Sequence, residues 1–151
     1  MQLRKIWFTF VQVAYDLFLK LNPRKLDARA VIQDAEGRVL LLRSRYADRL
    51  LLPGGGLDHR EHLDEALRRE CREELGVELL IQGLSGLYLR AGTAVYVAAF
   101  RCSLPEGAPL RLSHEHSEAL WLEPTAVPAL WAPIVADALA GGAGAAVKRL
   151  P

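Results

Sequence analysis

Residues 52–79 read LPGGGLDHREHLDEALRRECREELGVEL, a proline and three glycines running straight into an acid-rich stretch with helical spacing. That spacing predicts a helix over residues 61–75, stopped by Gly76. At about 100° per residue, with Leu63 as zero, Glu70 falls near −20°, Glu74 near +20° and Glu73 near −80°. Leu67, Cys71 and Leu75 follow at roughly 40° to 120°, so the three carboxylates border the stripe that packs on the rest of the domain. Arg68, Arg72 and Glu65 take the watery side.

Two carboxylates about 5 Å apart at an effective dielectric of 20 repel by roughly 3 kcal/mol, and a third beside a buried face adds to that. Arg69 relieves part of the repulsion. A hard divalent cation with oxygen ligands relieves more, magnesium first and manganese second, because all three acids can point at it. Glutamates also line ordinary solvated helix faces, so spacing alone leaves that reading open. Gly54, Gly55 and Gly56 tilt the balance. They permit close backbone approach, and their place between a strand and the acidic helix lets them offer a carbonyl to a cation or an amide to a phosphate.

Working outward, Ala28 to Gln33 and Val39 to Leu42 flank a turn at Asp34 to Gly37 and are expected to pair as a hairpin. Asp48 to Leu52 is a short strand before the glycines. Further strands are expected at Val77 to Ile81, Leu87 to Leu89, Ala94 to Cys102 and Ala119 to Leu122, with a last helix over about Thr125 to Leu139. Residues 140–151 are glycine- and alanine-rich and are expected to be a flexible tail. Residues 1–22 form a separate segment: 3–21 read LRKIWFTFVQVAYDLFLKL, with polar positions in one narrow stripe. Such an amphipathic helix calls for a cover, namely the domain, a second copy in a homodimer, or a membrane surface. The whole reads as an α/β domain with a mixed sheet over residues 26–139.

The pattern Gly55, five residues, Glu61, seven residues, then Arg69, Glu70, Cys71, Arg72, Glu73, Glu74, Leu75, Gly76 and Val77 resembles the complete box of the Nudix hydrolase family, the MutT-like proteins. Cys71 is the one departure, standing where the family has a bulky aliphatic residue; a buried thiol packs as a small hydrophobe. The resemblance implies an α/β/α sandwich and hydrolysis of the diphosphate linkage in a nucleoside diphosphate joined to another group. It also implies divalent metal held by Glu70, Glu73 and Glu74, with the Gly55 carbonyl. Arg69, counted among the catalytic candidates, braces the turn with Glu61 and orients Glu70, while Gly76 closes the helix. The general base comes either from the box, as Glu73, or from a later glutamate, as Glu118.

Outside the box, Arg43 and Arg45 end a strand just before the glycine turn, in reach of a phosphate, with a solvated strand end as the competing reading. Gly54 and Gly56 supply amides to the same substrate. His59, His62, His114 and His116 read as solvated surface residues. Composition fits a small-molecule enzyme: 151 residues with 51% hydrophobic make one domain, and 19 basic against 18 acidic residues leave no field for nucleic acid. Cys71 and Cys102 sit in no metal or redox spacing, which points to a reducing cytoplasm. The expected partner is a small nucleotide or nucleotide-like diphosphate.

Overall fold

The computed structural model describes residues 25–141 and 145–150. The amphipathic helix expected over residues 1–22, and the homodimer or membrane contact it implied, lie outside them. No helix among the described residues is long and apolar enough to cross a membrane.

Among the described residues, eight strands and two α-helices build the domain. Strands β1 (Lys25–Ile32), β4 (Gly54–Gly56), β5 (Leu80–Arg90), β6 (Val95–Ser103) and β8 (Ala146–Leu150) form one mixed sheet in the order β4-β1-β6-β5-β8. Strands β2 (Val39–Ser44), β3 (Leu50–Leu51) and β7 (His116–Leu122) form a second, ordered β3-β2-β7. Period-two alternation divides the core. Ala28, Ala30, Ile32, Leu40 and Leu42 pack with Leu67, Cys71 and Leu75 of helix α1 (Leu63–Leu75). Val31, Val39, Leu41, Tyr88 and Val97 pack with Trp131, Ile134 and Val135 at helix α2 (Ala132–Ala140). Alternate residues of β1 and β2 thus enter opposite apolar layers, and each fully buried leucine contributes about 2 kcal/mol.

Several expectations from sequence are corrected. The turn at Asp34 to Gly37 forms, with Gly37 N–H donating to Asp34 O at 3.1 Å, but β1 and β2 share only the bridge Gln33–Val39. No hairpin follows, because β1 is already paired on both edges, antiparallel to β4 and parallel to β6. The glycines form strand β4 rather than a bare turn. Val77 to Leu79 stay outside the strands, and the pieces expected near Ile81 and Leu87 are one strand, β5, whose register shifts between Ile81 and Gly83 and between Leu84 and Gly86 absorb the glycines as bulges. The last helix is split into a 3-10 turn at Pro124–Ala126 and α2, since Pro124, Pro128 and Pro133 have no amide hydrogen for a continuous ladder.

The tail expected to be flexible holds β8, which pairs parallel with β5 from Gly86–Ala146 to Arg90–Leu150. An otherwise open edge is covered and Leu150 is buried. Asp137 on α2 ties this strand down, accepting hydrogen bonds from Lys148 Nζ at 2.6 Å and Tyr88 Oη at 3.0 Å. The Lys148 bond above all, with the Tyr88 bond behind it, holds the Asp137 carboxyl below its ordinary value of 3.8. A lowered carboxylate contributes stability that is complete above the unfolded value and lost as pH falls through the folded one. Asp137→Asn is therefore expected to cost about 1 kcal/mol at pH 7 and less in strong acid. Urea unfolding at the two pH values checks this; an equal loss at both contradicts it.

Candidate active site

Three elements meet at the glycines. Helix α1 starts after a turn in which Asp58 N–H donates to Glu61 at 3.0 Å, and the His62 N–H is taken by Glu65 at 2.9 Å. It ends at Gly76, whose φ of 68° no β-carbon favours. The middle of this helix carries Arg69, which gathers the turn. Its Nε and Nη2 donate to Glu61 at 2.9 and 3.0 Å, Nη1 donates to Glu70 Oε1 at 2.8 Å, and Nη2 also reaches Gly56 O at 3.0 Å. The same guanidinium holds the Glu61 carboxyl below the usual range. Glu61 is thus a fixed strut between helix and turn.

The three box carboxylates differ in setting. Glu70 lies against Gly55: a β-carbon there would stand 2.5 Å from the Glu70 carboxyl carbon. Glu73 is 62% exposed, with Arg69 Nη1 at 3.7 Å. Glu74 is only 7% exposed and accepts from Gly54 N–H at 2.7 Å and from His116 Nε2 at 2.9 Å. Burial pushes the Glu74 carboxyl above its ordinary range, while Gly54 N–H and His116 pull it back. The acids are splayed along the helix: among the described residues no three His, Cys, Asp or Glu side chains are arranged as ready metal ligands. Their donors are nonetheless hard carboxylate oxygens beside a backbone stripped of side chains, a set that suits a hard divalent cation.

Burial also raises both thiols, Cys71 and Cys102, which are fully engaged in the core and offer no nucleophile.

His116 corrects the sequence reading of a solvated loop residue. It opens β7 and is 4% exposed. The loop before it is bound to the end of α1, Arg111 N–H donating to Leu75 O at 2.7 Å and Ser113 N–H to Glu74 O at 3.0 Å, so the chain delivers the imidazole to Glu74. Strand alternation carried back from Ala119 points to Ser117 instead; the register shift between Arg43 and Ser44 displaces it and brings His116 inward, and the sequence carries no signal of that shift.

On the other side of β1 opens a cleft of about 550 Å³ whose lining includes Asp27, Arg29, Arg43, Arg49, Arg90 and Trp131. Arg43 projects there, paired with Glu118 at 2.9 Å and Asp48 at 3.5 Å. Arg45 does not line this cleft: its guanidinium is spent on the carbonyls of His114 and His116 at 3.0 and 3.2 Å. Arg29, which sequence reasoning missed, connects cleft and glycines. It donates to Leu52 O at 3.0 Å, to Gly54 O and to Asp27 at 3.2 Å, and lies 5.9 Å from the Trp131 ring centroid. Its place two residues after Asp27 in an otherwise apolar strand was the signal.

The NUDIX domain family model matches residues 23–140. The chain belongs to the Nudix family. A MutT-like protein of Streptomyces ambofaciens is 33% identical over 127 residues, covering 82% of this chain and 81% of that one. The crystal structure of a MutT protein from Methanosarcina mazei Go1 matches with a TM-score of 0.66 and 25% identity, over 82% of this chain and 98% of that one. An ADP-ribose pyrophosphatase from Streptococcus suis has a TM-score of 0.68 at 20% identity, over 83% and 98% of the two chains, a likeness of fold alone. This Nudix protein is accordingly a hydrolase, of a family that acts on small nucleotide diphosphate substrates and generally uses divalent metal.

Proposed function

We propose that this Nudix hydrolase cleaves the diphosphate linkage of a nucleoside diphosphate joined to a second group, by attack of water at phosphorus, with magnesium, or manganese in its place, held by Glu70, Glu73 and Glu74 and the Gly55 carbonyl. The observation that carries this is the contact of Gly55 with the Glu70 carboxylate, which leaves oxygen donors and bare backbone on one surface. When bound, the metal polarises a phosphoryl oxygen and lowers the pKa of an attacking water.

The rest of the work falls to the chain. Arg69 fixes the direction of Glu70, and Glu61 fixes Arg69. Glu73, the least engaged of the three acids, takes the proton from water, while Glu118 is committed to Arg43. The Gly54 amide, expected from sequence to serve the substrate, is spent on Glu74, which leaves Gly56 to offer its backbone to the reacting diphosphate. The arginines of the cleft, Arg43 among them, receive the remaining anionic part of the substrate. Arg45 serves the same end indirectly, by holding the loop that carries His114 and His116.

A panel of nucleoside triphosphates, sugar nucleotides and dinucleoside polyphosphates, incubated with magnesium, tests the reading through released phosphate, pyrophosphate and nucleoside monophosphate. At least one compound is expected to be cleaved, EDTA is expected to abolish cleavage, and one atom of ¹⁸O from labelled water is expected in a phosphate-bearing product. Cleavage that survives EDTA, or none with either magnesium or manganese, overturns it.

A further inference from the structure

We infer that His116 is a positioning residue for the hydrolysis: its imidazole locks the Glu74 carboxylate, and with it the glycine strand, in the arrangement that lets Glu74 ligate. The inference rests on the metal-dependent reading above and adds a residue from outside the box.

The geometry is specific. His116 Nε2 stands 2.9 Å from Glu74 Oε1, while Oε2 receives the Gly54 N–H at 2.7 Å. One carboxylate therefore joins α1, β4 and β7 at a buried point. His116 Nδ1 is buried and has no hydrogen-bond partner among the described residues. A proton on Nδ1 would have no acceptor, whereas Nε2 faces a carboxylate; the partners thus assign the proton to Nε2, which donates to Glu74.

Two donors make burial of this acid tolerable, one on each oxygen. A carboxylate has about four lone-pair directions, so two remain for another ligand. The imidazole cannot drift from its task, since Ser113 N–H binds Glu74 O and His116 N–H binds Ser113 O at 3.3 Å. Removing the ring leaves Glu74 Oε1 buried without its donor. Glu74 is then free to turn, and its hold on Gly54 N–H turns with it. Donors of this kind behind a metal ligand typically carry 10- to 100-fold of metal affinity.

The test uses the full chain without substrate, following free Mn²⁺ by electron paramagnetic resonance, with hydrolysis and thermal melting measured alongside. His116→Leu is expected to raise the Mn²⁺ dissociation constant about tenfold or more and to lower kcat at limiting metal, with substrate KM little changed. His116→Gln, whose amide N–H reaches the place of Nε2, is expected to restore affinity to within about threefold, whereas His116→Asn, whose amide reaches only the place of Nδ1, is not. If His116→Leu fails to fold by circular dichroism, the Gln and Asn variants decide between them. Wild-type Mn²⁺ affinity in His116→Leu, or equal affinity in the Gln and Asn variants, overturns the role of His116 alone. A wild-type chain that neither binds Mn²⁺ nor hydrolyses any compound of the panel overturns the reading beneath it, and this inference with it.

Discussion

Glu73→Gln is expected to lower turnover by about a hundredfold or more, the range lost when a positioned proton acceptor is removed, while the melting temperature stays within about 2 °C of wild type. The separation of the two effects is what makes the substitution informative. Glu73 is 62% exposed, and its only ion pair among the described residues is the 3.7 Å approach of Arg69 Nη1. A pair so open to solvent is worth about 0.5 kcal/mol or less, so the fold has little to lose. The amide keeps the size and the neutral hydrogen-bonding capacity of the side chain but can neither accept a proton at neutral pH nor lend a negative charge. Single-turnover rates beside a melting curve settle the matter. Unchanged turnover removes Glu73 from the mechanism, and a collapse of stability makes it a structural residue.

Adjacent glycines are expected to fail in opposite ways. In Gly54→Ala the new methyl meets the carbonyl of Ala28 on the neighbouring strand, at a φ of 118° that side chains rarely adopt. Main chain cannot yield, so the loss falls on stability, several kcal/mol from strain and overpacking. In Gly55→Ala the methyl lands 2.5–2.7 Å from the carboxyl carbon and oxygens of Glu70, the far end of a flexible side chain. Glu70 swings aside at small cost to folding, and hydrolysis falls by orders of magnitude because the acid leaves its place beside Gly55. Denaturant midpoints and turnover measured on both variants test the contrast. Comparable stabilities would mean that β4 is not held against Ala28 as described.

The acidic helix was legible because its information is local. Spacing alone puts Glu70, Glu73 and Glu74 along the margin of the stripe made by Leu67, Cys71 and Leu75, and Gly76 marks where it stops. What escaped depends on partners far along the chain. Nothing near Ile32 says that β1 is taken by β4 and β6, so the turn at Asp34 read as a hairpin. Residues 146–150 look featureless until the free edge of β5 is there to receive them. His116 looked polar and exposed because its partner, Glu74, is reached only when the loop at Arg111 to Ser113 binds the end of α1. Arg29 was hidden for the same reason: its acceptors, Leu52 O and Gly54 O, belong to a segment more than twenty residues further along the chain. Long-range pairing decides such residues, and a window of sequence does not contain it.

The parallel pairing of β1 with β6 also governs when the enzyme can come into being. Lys25 meets Val95 and Ile32 meets Cys102, so the acidic helix and the glycines lie inside the loop that this pairing closes. A chain emerging from the ribosome has made Glu70, Glu73, Glu74 and the glycines before it has made the strand that centres the sheet. High contact order of this kind slows folding and leaves intermediates with bare strand edges. Competence is thus a late event in the life of the nascent polypeptide, and a chain arrested before Val95 holds the whole box with no assembled surface to work on.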